Sequence, residues 1–457
     1  MAAFTLQEVE KATGGRLLYP VVDDAVFSQV ETDTRAITAG ALFVALRGET
    51  FDGHDYVLQA EKQGASGAIV AEDRPEYRKG GFAVIIVPDT RKAYQDLARF
   101  HRRRFSIPVI AVTGSVGKTS TRSMIAAVLS QKYRVLQTEK NFNNEIGLPK
   151  TLLQLTPEHE ACVVEMGMRG LGQIAELAAI AEPDIGVVTN VGKSHIELLG
   201  SQENIARAKS ELVQALSADG IAILNQDDSY VASMADLCRG KVVGYGITSN
   251  AAIRASRVVC SEKGLRFACR YFDQVMDIHM PLIGSHNVYN ALAAIAAGRV
   301  LGLTEHQLQR GLSEYRGMPM RQELIHLGEY TFINDAYNAN PASMSEALKS
   351  LSLLTKGRKI AVLGGMLELG DWTVREHEKI GAEAADLGLD ALITMGEPAS
   401  YIADAARKNG LDAVYTTEDH AGAADCLRHI LRPGDTVLLK GSRGFAMEKI
   451  LPYFERK

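Results

Sequence analysis

The stretch that decides the fold is Val109-Ile110-Ala111-Val112-Thr113-Gly114-Ser115-Val116-Gly117-Lys118-Thr119-Ser120. Its apolar start predicts a buried strand, and a helical pattern follows from Met124 to Leu129. Strand, glycine-rich loop and helix in this order are typical of a P-loop, whose backbone amides bind phosphate. A glycine-rich turn that only closes a βα unit is the alternative interpretation.

The loop residues suit a bound triphosphate. Glycines at 114 and 117 let backbone amides approach phosphate oxygens, Lys118 supplies a positive charge, and Thr119 offers a hydroxyl to Mg²⁺. The strict P-loop pattern would place glycine at Val112, so the match fails at its first position. We assign nucleotide binding to the whole loop, namely Gly114, Ser115, Val116, Gly117, Lys118, Thr119 and Ser120.

Outward from the loop, apolar strand patterns alternate with helical patterns, which predicts an α/β protein. We predict three domains, residues 1–88, 89–318 and 319–457, with the second boundary at the turn Arg316-Gly317-Met318-Pro319. The central domain should hold a parallel sheet and, after Tyr245, a small antiparallel sheet, because strands there are too closely spaced for crossover helices. Alternation resumes in the third domain and predicts a Rossmann-like unit.

Composition excludes several classes of protein. The 457 residues include 50 Lys and Arg against 55 Asp and Glu, a net charge of −5, so no overall basic field exists to hold nucleic acid. The longest apolar runs are far shorter than a membrane span, and no export signal is expected. Five cysteines without a C-x-x-C pair predict free thiols. We therefore expect a cytoplasmic protein that binds neither nucleic acid nor membrane. We also expect a monomer, although composition does not indicate the oligomeric state.

Other polar motifs are ambiguous when taken singly. Glu165 ends an apolar strand after the P-loop, where a nucleotide enzyme needs a Mg²⁺ ligand. By contrast, His195 in Asn190-Val191-Gly192-Lys193-Ser194-His195 could be structural, and Lys209 could be a surface charge. The run from Asp335 to Pro341 could be turn chemistry alone, and His286-Asn287 could only cap a helix.

Together, these motifs resemble the Mur ligase family, the ATP-dependent amide-forming enzymes of peptidoglycan precursor synthesis. The resemblance rests on the order T-G-S-V-G-K-T, V-E-M-G, N-V-G-K-S-H, A-K-S-E, G-S-H-N-V-Y-N-A-L-A-A, M-R and D-A-Y-N-A-N-P. The family's loop also lacks the first glycine, so Val112 becomes a family feature. The resemblance implies an N-terminal uridine-nucleotide-binding domain, a central P-loop ATPase domain and a C-terminal Rossmann-like domain that binds a dipeptide.

The resemblance also implies roles for individual residues. In the family, the lysine that matches Lys209 reacts with CO₂ to form a carbamate, which helps to hold one of two Mg²⁺ ions together with the residue matching His195. Thr119 and Glu165 complete the implied metal ligands. Catalysis is assigned to Lys118, Lys209, His195 and Arg321, and further ATP contacts are assigned to Asn287 and Tyr337 near adenine, Asp335 near ribose and Arg321 at the phosphates.

Three stretches favour the family member that joins D-alanyl-D-alanine to UDP-N-acetylmuramoyl-tripeptide: N-F-N-N-E-I-G-L-P at 141–149, Y-N-A-N-P at 337–341 and K-G-S-R at 440–443. The family member that acts one step earlier and adds the third amino acid typically carries a Y-A-H-x-P run in place of Y-N-A-N-P. The substrate-binding residues implied are Thr34, Arg35, Asn141, Asn143, Asn144, Ser442 and Arg443. The sequence leaves open whether the tripeptide ends in meso-diaminopimelate or lysine.

Two alternatives remain open at this stage. Folylpolyglutamate synthetase shares the central and final domains but lacks the uridine-nucleotide domain. A P-loop regulatory switch is a different class of protein, although the chain contains no N-K-x-D guanine motif.

Overall fold

The computed structural model describes residues 2–19, 25–79, 82–261, 263–355 and 357–455. The chain packs into two compact units that interleave along the sequence. Unit 1 comprises Met1–Ala111, Tyr133–Gly167 and Gln173–Asp184, and unit 2 comprises Val112–Lys132, Met168–Gly172 and Ile185–Lys457. The domain boundaries at 88 and 318 stay predictions.

The N-terminal part of unit 1 is an α/β assembly of short elements. Its elements are β1 Phe4–Thr5, α1 Leu6–Thr13, β2 Arg16–Leu17, β3 Val26–Phe27, β4 Gln29–Glu31, β5 Ala41–Val44, α2 Val57–Lys62, β6 Gly67–Val70, β7 Ala83–Ile86 and α3 Thr90–Arg102. Strands β1 and β3 form an antiparallel pair, and a five-stranded sheet has the order β2-β7-β6-β5-β4. Only β2 runs antiparallel in that larger sheet.

The middle of the chain begins with the strand and helix that flank the P-loop. Its elements are β8 Val109–Thr113, α4 Lys118–Leu129, β9 Val135–Gln137, α5 Gly147–Leu152, β10 Ala161–Glu165, α6 Gln173–Ala181, β11 Ile185–Val188, α7 Ile196–Leu199, α8 Gln202–Ala215, β12 Ile221–Asn225, α9 Ser229–Ser233, β13 Lys241–Gly246, β14 Ile253–Ser261, β15 Gly264–Tyr271, β16 Gln274–Met280, α10 His286–Val300 and α11 Glu305–Glu314. Strand β8 carries residues of both units.

Within unit 2, strands β11 to β14 run parallel, and β14, β15 and β16 run antiparallel. The predicted antiparallel segment is confirmed, and the structure adds that it continues the parallel sheet. Strand β13, which the sequence pattern did not predict, makes this connection because it pairs in parallel with both β12 and β14. In unit 1, β9 pairs in parallel with β10.

The C-terminal part of unit 2 repeats the alternation of strand and helix. Its elements are β17 Glu323–Leu327, β18 Tyr330–Asn334, α12 Pro341–Leu354, β19 Lys359–Gly364, α13 Thr373–Asp386, β20 Ala391–Met395, α14 Glu397–Lys408, β21 Val414–Thr417, α15 His420–Ile430 and β22 Thr436–Lys440. The sheet order is β17-β18-β22-β19-β20-β21. Strand β17 is an antiparallel edge, and the other strands are parallel, as the sequence predicted.

Local sequence explains where the helices begin. The Asp89 carboxylate accepts hydrogen bonds from the first backbone amides of α3. At α12, Asn340 and Ser343 form a capping box, and Pro341 occupies the first turn, where its missing N–H costs nothing. No helix among the described residues combines the length and apolarity that a membrane span requires.

Candidate functional site

The P-loop backbone needs glycine at two positions. Gly114 has φ +148° and Gly117 has φ +83°, a region that other residues rarely adopt. A Cβ added at Gly114 would lie 1.8 Å from Thr189 Oγ1, and one at Gly117 would lie 2.9 Å from Asn290 Oδ1. Helix α4 begins at Lys118, immediately after these glycines. The predicted strand, loop and helix order is therefore present.

A neighbouring loop holds the P-loop in shape. The Thr189 hydroxyl donates to the Val116 carbonyl oxygen at 2.7 Å, and Asn190 Oδ1 accepts from the Val116 amide at 2.8 Å. The Gly192 amide donates to Ser115 Oγ at 2.9 Å. These contacts fix the phosphate-binding loop before any nucleotide binds. Sequence reasoning missed them because each joins residues more than 70 positions apart in the chain.

Five predicted ATP-site residues lie in the first turn of α4 or close to it. Arg321 donates through a terminal guanidinium nitrogen to Thr119 Oγ1 at 3.1 Å, and its guanidinium carbon lies 4.2 Å from the centre of the Tyr337 ring. Lys118 Nζ donates to the Gly114 carbonyl oxygen at 2.8 Å. Ser120 lies half-buried in the same helical turn. The Lys118 amine and the Arg321 guanidinium therefore both lie beside the P-loop.

Asp335, the predicted ribose contact, is paired with a buried lysine. Lys440 Nζ lies 2.6 Å from Asp335 Oδ2, and the Lys440 side chain is only 2% exposed. The other carboxylate oxygen accepts from the Gln322 amide at 3.3 Å. Lys440 is the first residue of the K-G-S-R run, and the sequence alone predicts no role for it. Its position at the end of a parallel strand is the signal that could have identified it.

Asn287, the predicted adenine contact, is buried at the start of α10. Its amide nitrogen donates to the Ile283 carbonyl oxygen at 2.7 Å, and its amide oxygen accepts from Asn290 at 2.9 Å. Asn290 in turn accepts from the Thr121 hydroxyl at 2.9 Å. This chain of hydrogen bonds ties α10 to α4. A contact of Asn287 with adenine stays a prediction.

Lys209 lies on α8 and is buried, with 2% of its surface exposed, which excludes the surface-charge interpretation. Among the residues described, none forms a hydrogen bond or ion pair with its amine. Burial, reinforced by the nearby charge of Lys118, lowers the pKa of Lys209 well below its ordinary value. Both effects disfavour the charged ammonium form of this side chain.

His195 occupies a left-handed turn, with φ +61°, immediately before α7. Its Nδ1 lies 2.7 Å from Glu368 Oε2. Burial lowers the pKa of His195, although the Glu368 carboxylate opposes this shift. A neutral imidazole is the form that binds metal. Glu368 is not predictable from the sequence, because no local pattern links positions so distant in the chain.

Glu165 is a predicted Mg²⁺ ligand and belongs to unit 1. It lies at the end of β10 and is 2% exposed. Its backbone amide donates to Thr138 Oγ1 at 3.0 Å, and its Oε1 accepts from Asn143 Nδ2 at 2.8 Å. Asn143, predicted to bind substrate, thus orients Glu165. Asn144 Oδ1 accepts from the Gly147 amide at 2.8 Å, and Asn141 is exposed. Substrate binding by these asparagines stays a prediction.

Thr34 and Arg35 lie in a 3-10 turn of unit 1 that Asp33 caps. Arg35 is exposed and lies 2.6 Å from Asp33 Oδ2. The hydrogen bond from the Arg35 side chain lowers the pKa of Asp33 to about 2. The Arg35 guanidinium is thus exposed but paired with a carboxylate, and binding of the uridine nucleotide by Thr34 and Arg35 stays a prediction.

Ser442 and Arg443 follow β22. The Ser442 hydroxyl accepts from the Leu367 amide at 3.0 Å and lies 3.2 Å from the Ala339 carbonyl oxygen, to which it donates. Arg443 lies 2.8 Å from Glu448 Oε1. The serine therefore holds two backbone segments together, and substrate binding by either residue stays a prediction.

The described part of the chain contains no cluster of three or more His, Cys, Asp or Glu side chains poised to hold a metal ion.

Family models match three consecutive regions. Residues 26–102 match the model described as Mur ligase family, catalytic domain, residues 112–298 match the Mur ligase middle domain, and residues 320–443 match the Mur ligase, glutamate ligase domain.

Individual relatives match nearly the whole chain. UDP-N-acetylmuramoyl-tripeptide--D-alanyl-D-alanine ligase of Synechocystis is 40% identical, over 94% of this chain and 92% of the relative. Among solved structures, MurF from Acinetobacter baumannii is 31% identical with a TM-score of 0.91, over 98% of both chains. MurF ligase from Thermotoga maritima, in complex with ADP, is 27% identical with a TM-score of 0.85, over 93% of this chain and 96% of the other.

Proposed function

Because the chain belongs to the Mur ligase family, we propose that it joins D-alanyl-D-alanine to UDP-N-acetylmuramoyl-tripeptide while cleaving ATP to ADP and phosphate. The reaction is a step of peptidoglycan precursor synthesis. The observation that carries this proposal is similarity over nearly the whole chain to ligases of that name. The match of residues 26–102 disfavours folylpolyglutamate synthetase, which lacks the uridine-nucleotide domain.

The chemistry requires an activated carboxylate. A carboxylate does not react with an amine at neutral pH, because oxide is too poor a leaving group. Transfer of the γ-phosphoryl group to the tripeptide carboxylate forms an acyl phosphate and ADP. The dipeptide amine then attacks the acyl carbon and loses a proton, and phosphate leaves.

The P-loop residues bind and orient ATP for this transfer. The backbone amides of 114–117 and the start of α4 face the phosphates, and Lys118 and Arg321 neutralise the charge that spreads over the transferred group. The Tyr337 ring stacks on the Arg321 guanidinium and limits the movement of that side chain. Asp335, Tyr337 and Asn287 are proposed to contact the nucleoside.

Thr119, Glu165, His195 and carbamylated Lys209 are the proposed ligands of two Mg²⁺ ions. The fit rests on Lys209, whose buried amine has no protein partner among the described residues and has a lowered pKa because of its burial. The uncharged amine forms a bond to the carbon of CO₂, one C=O π pair moves onto oxygen, and the nitrogen loses a proton to solvent. The resulting carbamate has oxygens that resemble those of a carboxylate. Bound Mg²⁺ would stabilise the negative charge that develops during phosphoryl transfer.

The two organic substrates are assigned to different parts of the chain. We propose that Thr34 and Arg35 bind the uridine nucleotide, with Asn141, Asn143 and Asn144 near the substrate. The dipeptide is assigned to the C-terminal part, with Ser442 and Arg443 as candidates. We also propose a cytoplasmic location and a monomer. The five cysteines are all free thiols, which agrees with a reducing compartment.

Phosphate release tests this proposal. We expect release to depend on both D-alanyl-D-alanine and a UDP-N-acetylmuramoyl-tripeptide, and a product of the summed mass minus water should accumulate in equal amount. Assays with tripeptides ending in meso-diaminopimelate or lysine then identify the preferred substrate. Phosphate release that needs neither substrate and yields no ligated product would favour a regulatory switch.

A further inference from the structure

A loop from the C-terminal part of the chain reaches the turn that carries His195. Within this loop, residues 366–372, Glu368 Oε2 lies 2.7 Å from His195 Nδ1. The other oxygen of Glu368 lies 3.4 Å from an Arg169 guanidinium nitrogen. Both Glu368 and the segments it contacts belong to unit 2. The carboxylate therefore touches one nitrogen of a proposed metal ligand.

The backbone of this loop is fixed in an unusual conformation. Glu368 has φ +62°, which is strained for a residue with a side chain, and Gly370 has φ +51°. The Met366 amide donates to His377 Nε2 at 2.9 Å, and the Leu367 amide donates to Ser442 Oγ at 3.0 Å. Because His377 and Ser442 are buried, these two hydrogen bonds anchor the backbone immediately before Glu368.

The turn that carries His195 is held from the same side. Lys193 Nζ lies 2.9 Å from Glu376 Oε1, and that carboxylate side chain is only 4% exposed. Asn340 Nδ2 donates to Ser194 Oγ at 2.9 Å. Residues 193, 194 and 195 thus each contact a side chain from beyond residue 320. Because neighbouring contacts anchor both segments, the contact between Glu368 and His195 is part of a larger set of interactions and not an isolated surface ion pair.

We propose that Glu368 is a positioning residue that orients His195 for metal binding. The negative charge of a carboxylate 2.7 Å from Nδ1 favours the tautomer that carries its proton on Nδ1, which leaves the Nε2 lone pair to bind a metal ion. The contact also fixes the rotation of the ring. The inference rests on the proposed function, because it takes His195 as a metal ligand.

Pulsed electron paramagnetic resonance with Mn²⁺ in place of Mg²⁺ tests this role, because it detects a histidine nitrogen bound to the metal. The full-length protein is loaded with Mn²⁺ and a non-hydrolysable ATP analogue, and Mn²⁺ affinity is measured in parallel. We expect a nitrogen coupling in the wild type that disappears in His195→Ala. Glu368→Ala should lose most of that coupling and bind Mn²⁺ about 10- to 100-fold more weakly.

Two further variants separate positioning from other roles. Glu368→Gln keeps an oxygen that accepts the Nδ1 proton, so it should retain the coupling and stay within about threefold of wild-type affinity. Glu314→Ala removes a carboxylate from an exposed ion pair with Arg310 and serves as the matched control, with no expected change. Far-ultraviolet circular dichroism shows whether each variant is folded.

Each contrary result points to a different error. Wild-type coupling and affinity in Glu368→Ala would overturn the positioning role while leaving His195 as a ligand. Equal loss in Glu368→Gln and Glu368→Ala would show that a neutral accepting oxygen at this position does not orient His195, which also overturns the positioning role as stated. If the wild type shows no coupling that His195→Ala removes, the proposed metal ligand and this inference both fail.

Discussion

At residue 209, burial and charge act in the same direction. An ammonium group there would lose its hydration and lie near the positive charge of Lys118, so the neutral amine is favoured. Only the neutral amine can attack CO₂, and the resulting carbamate would be attracted to Lys118. The environment that disfavours lysine as a cation is therefore the one that favours its modification.

Lys209→Ala should inactivate the enzyme, because the proposed carbamate ligand is lost. Lys209→Arg should be equally inactive, since the guanidinium keeps a charge and forms no such carbamate. Formate should partly restore activity to the alanine variant by supplying a carboxylate. Ligation rates at saturating ATP and Mg²⁺ measure these effects, with exposed Lys92→Ala as the control. Near-normal ligation by the arginine variant would contradict the carbamate role.

The sequence predicted individual site residues unevenly. The P-loop residues follow from a local pattern, because strand, glycine, lysine and threonine are adjacent in the chain. The role of Lys209 came only from the family resemblance, since a lysine on a helix is usually exposed. The contacts of Glu368 and Lys440 with predicted residues depend on packing between distant segments, which a single sequence does not encode locally.

At the scale of elements, the P-loop depends on the absence of a side chain at Gly114. We expect Gly114→Ala to weaken ATP binding by at least tenfold, because its Cβ would overlap Thr189 Oγ1 and displace the loop. Calorimetric titration with a non-hydrolysable ATP analogue measures this change. Gly422→Ala, near the start of α15, is the control and should bind normally. Unchanged affinity in Gly114→Ala would show that the loop geometry is not needed.

Helix α3 should make unit 1 sensitive to acid through His101. Its Nε2 lies 2.9 Å from the Leu155 carbonyl oxygen, and burial lowers the pKa of His101 to about 4. Between pH 6.5 and 4 the unfolded histidine binds a proton that the folded one does not. Acidification over that window should therefore remove up to about 3 kcal/mol of stability.

Thermal unfolding of wild type and His101→Gln from pH 7 to 4.5 checks this effect. Glutamine can still donate to the Leu155 carbonyl oxygen but does not titrate in this range. The wild type should lose more of its unfolding temperature on acidification than the variant does. Parallel pH profiles for the two proteins would exclude His101 as the cause.

Secondary structure was largely predictable because apolar periodicity is local. The apolar runs at 161–165 and 436–440 each predict a strand, and β10 and β22 have those bounds. Strand β13 was missed, since Lys241–Gly246 begins exposed and contains glycines. The antiparallel edge strand β17 was also missed, because its alternating pattern is short and its pairing with β18 is not encoded in either segment alone.

At the scale of the whole molecule, the residues proposed to bind the two nucleotide substrates belong to different units of the chain. Arg35 belongs to unit 1, whereas the P-loop belongs to unit 2. Arg35→Ala should raise KM for the UDP-linked tripeptide about tenfold or more and leave KM for ATP nearly unchanged, because one charged hydrogen bond to phosphate is lost. Steady-state kinetics with each substrate varied in turn gives both constants. Equal increases in both would contradict the assignment of Arg35 to the uridine nucleotide.

The central claim is that ATP activates the tripeptide carboxylate, and transfer of ¹⁸O tests it most directly. The tripeptide is labelled with ¹⁸O in its terminal carboxylate and incubated with ATP, Mg²⁺ and D-alanyl-D-alanine, and the released phosphate is analysed by mass spectrometry. An acyl phosphate places one carboxylate oxygen in each phosphate, so we predict one ¹⁸O per phosphate and an equal amount of ligated product. Unlabelled phosphate released alongside ligated product would contradict the account.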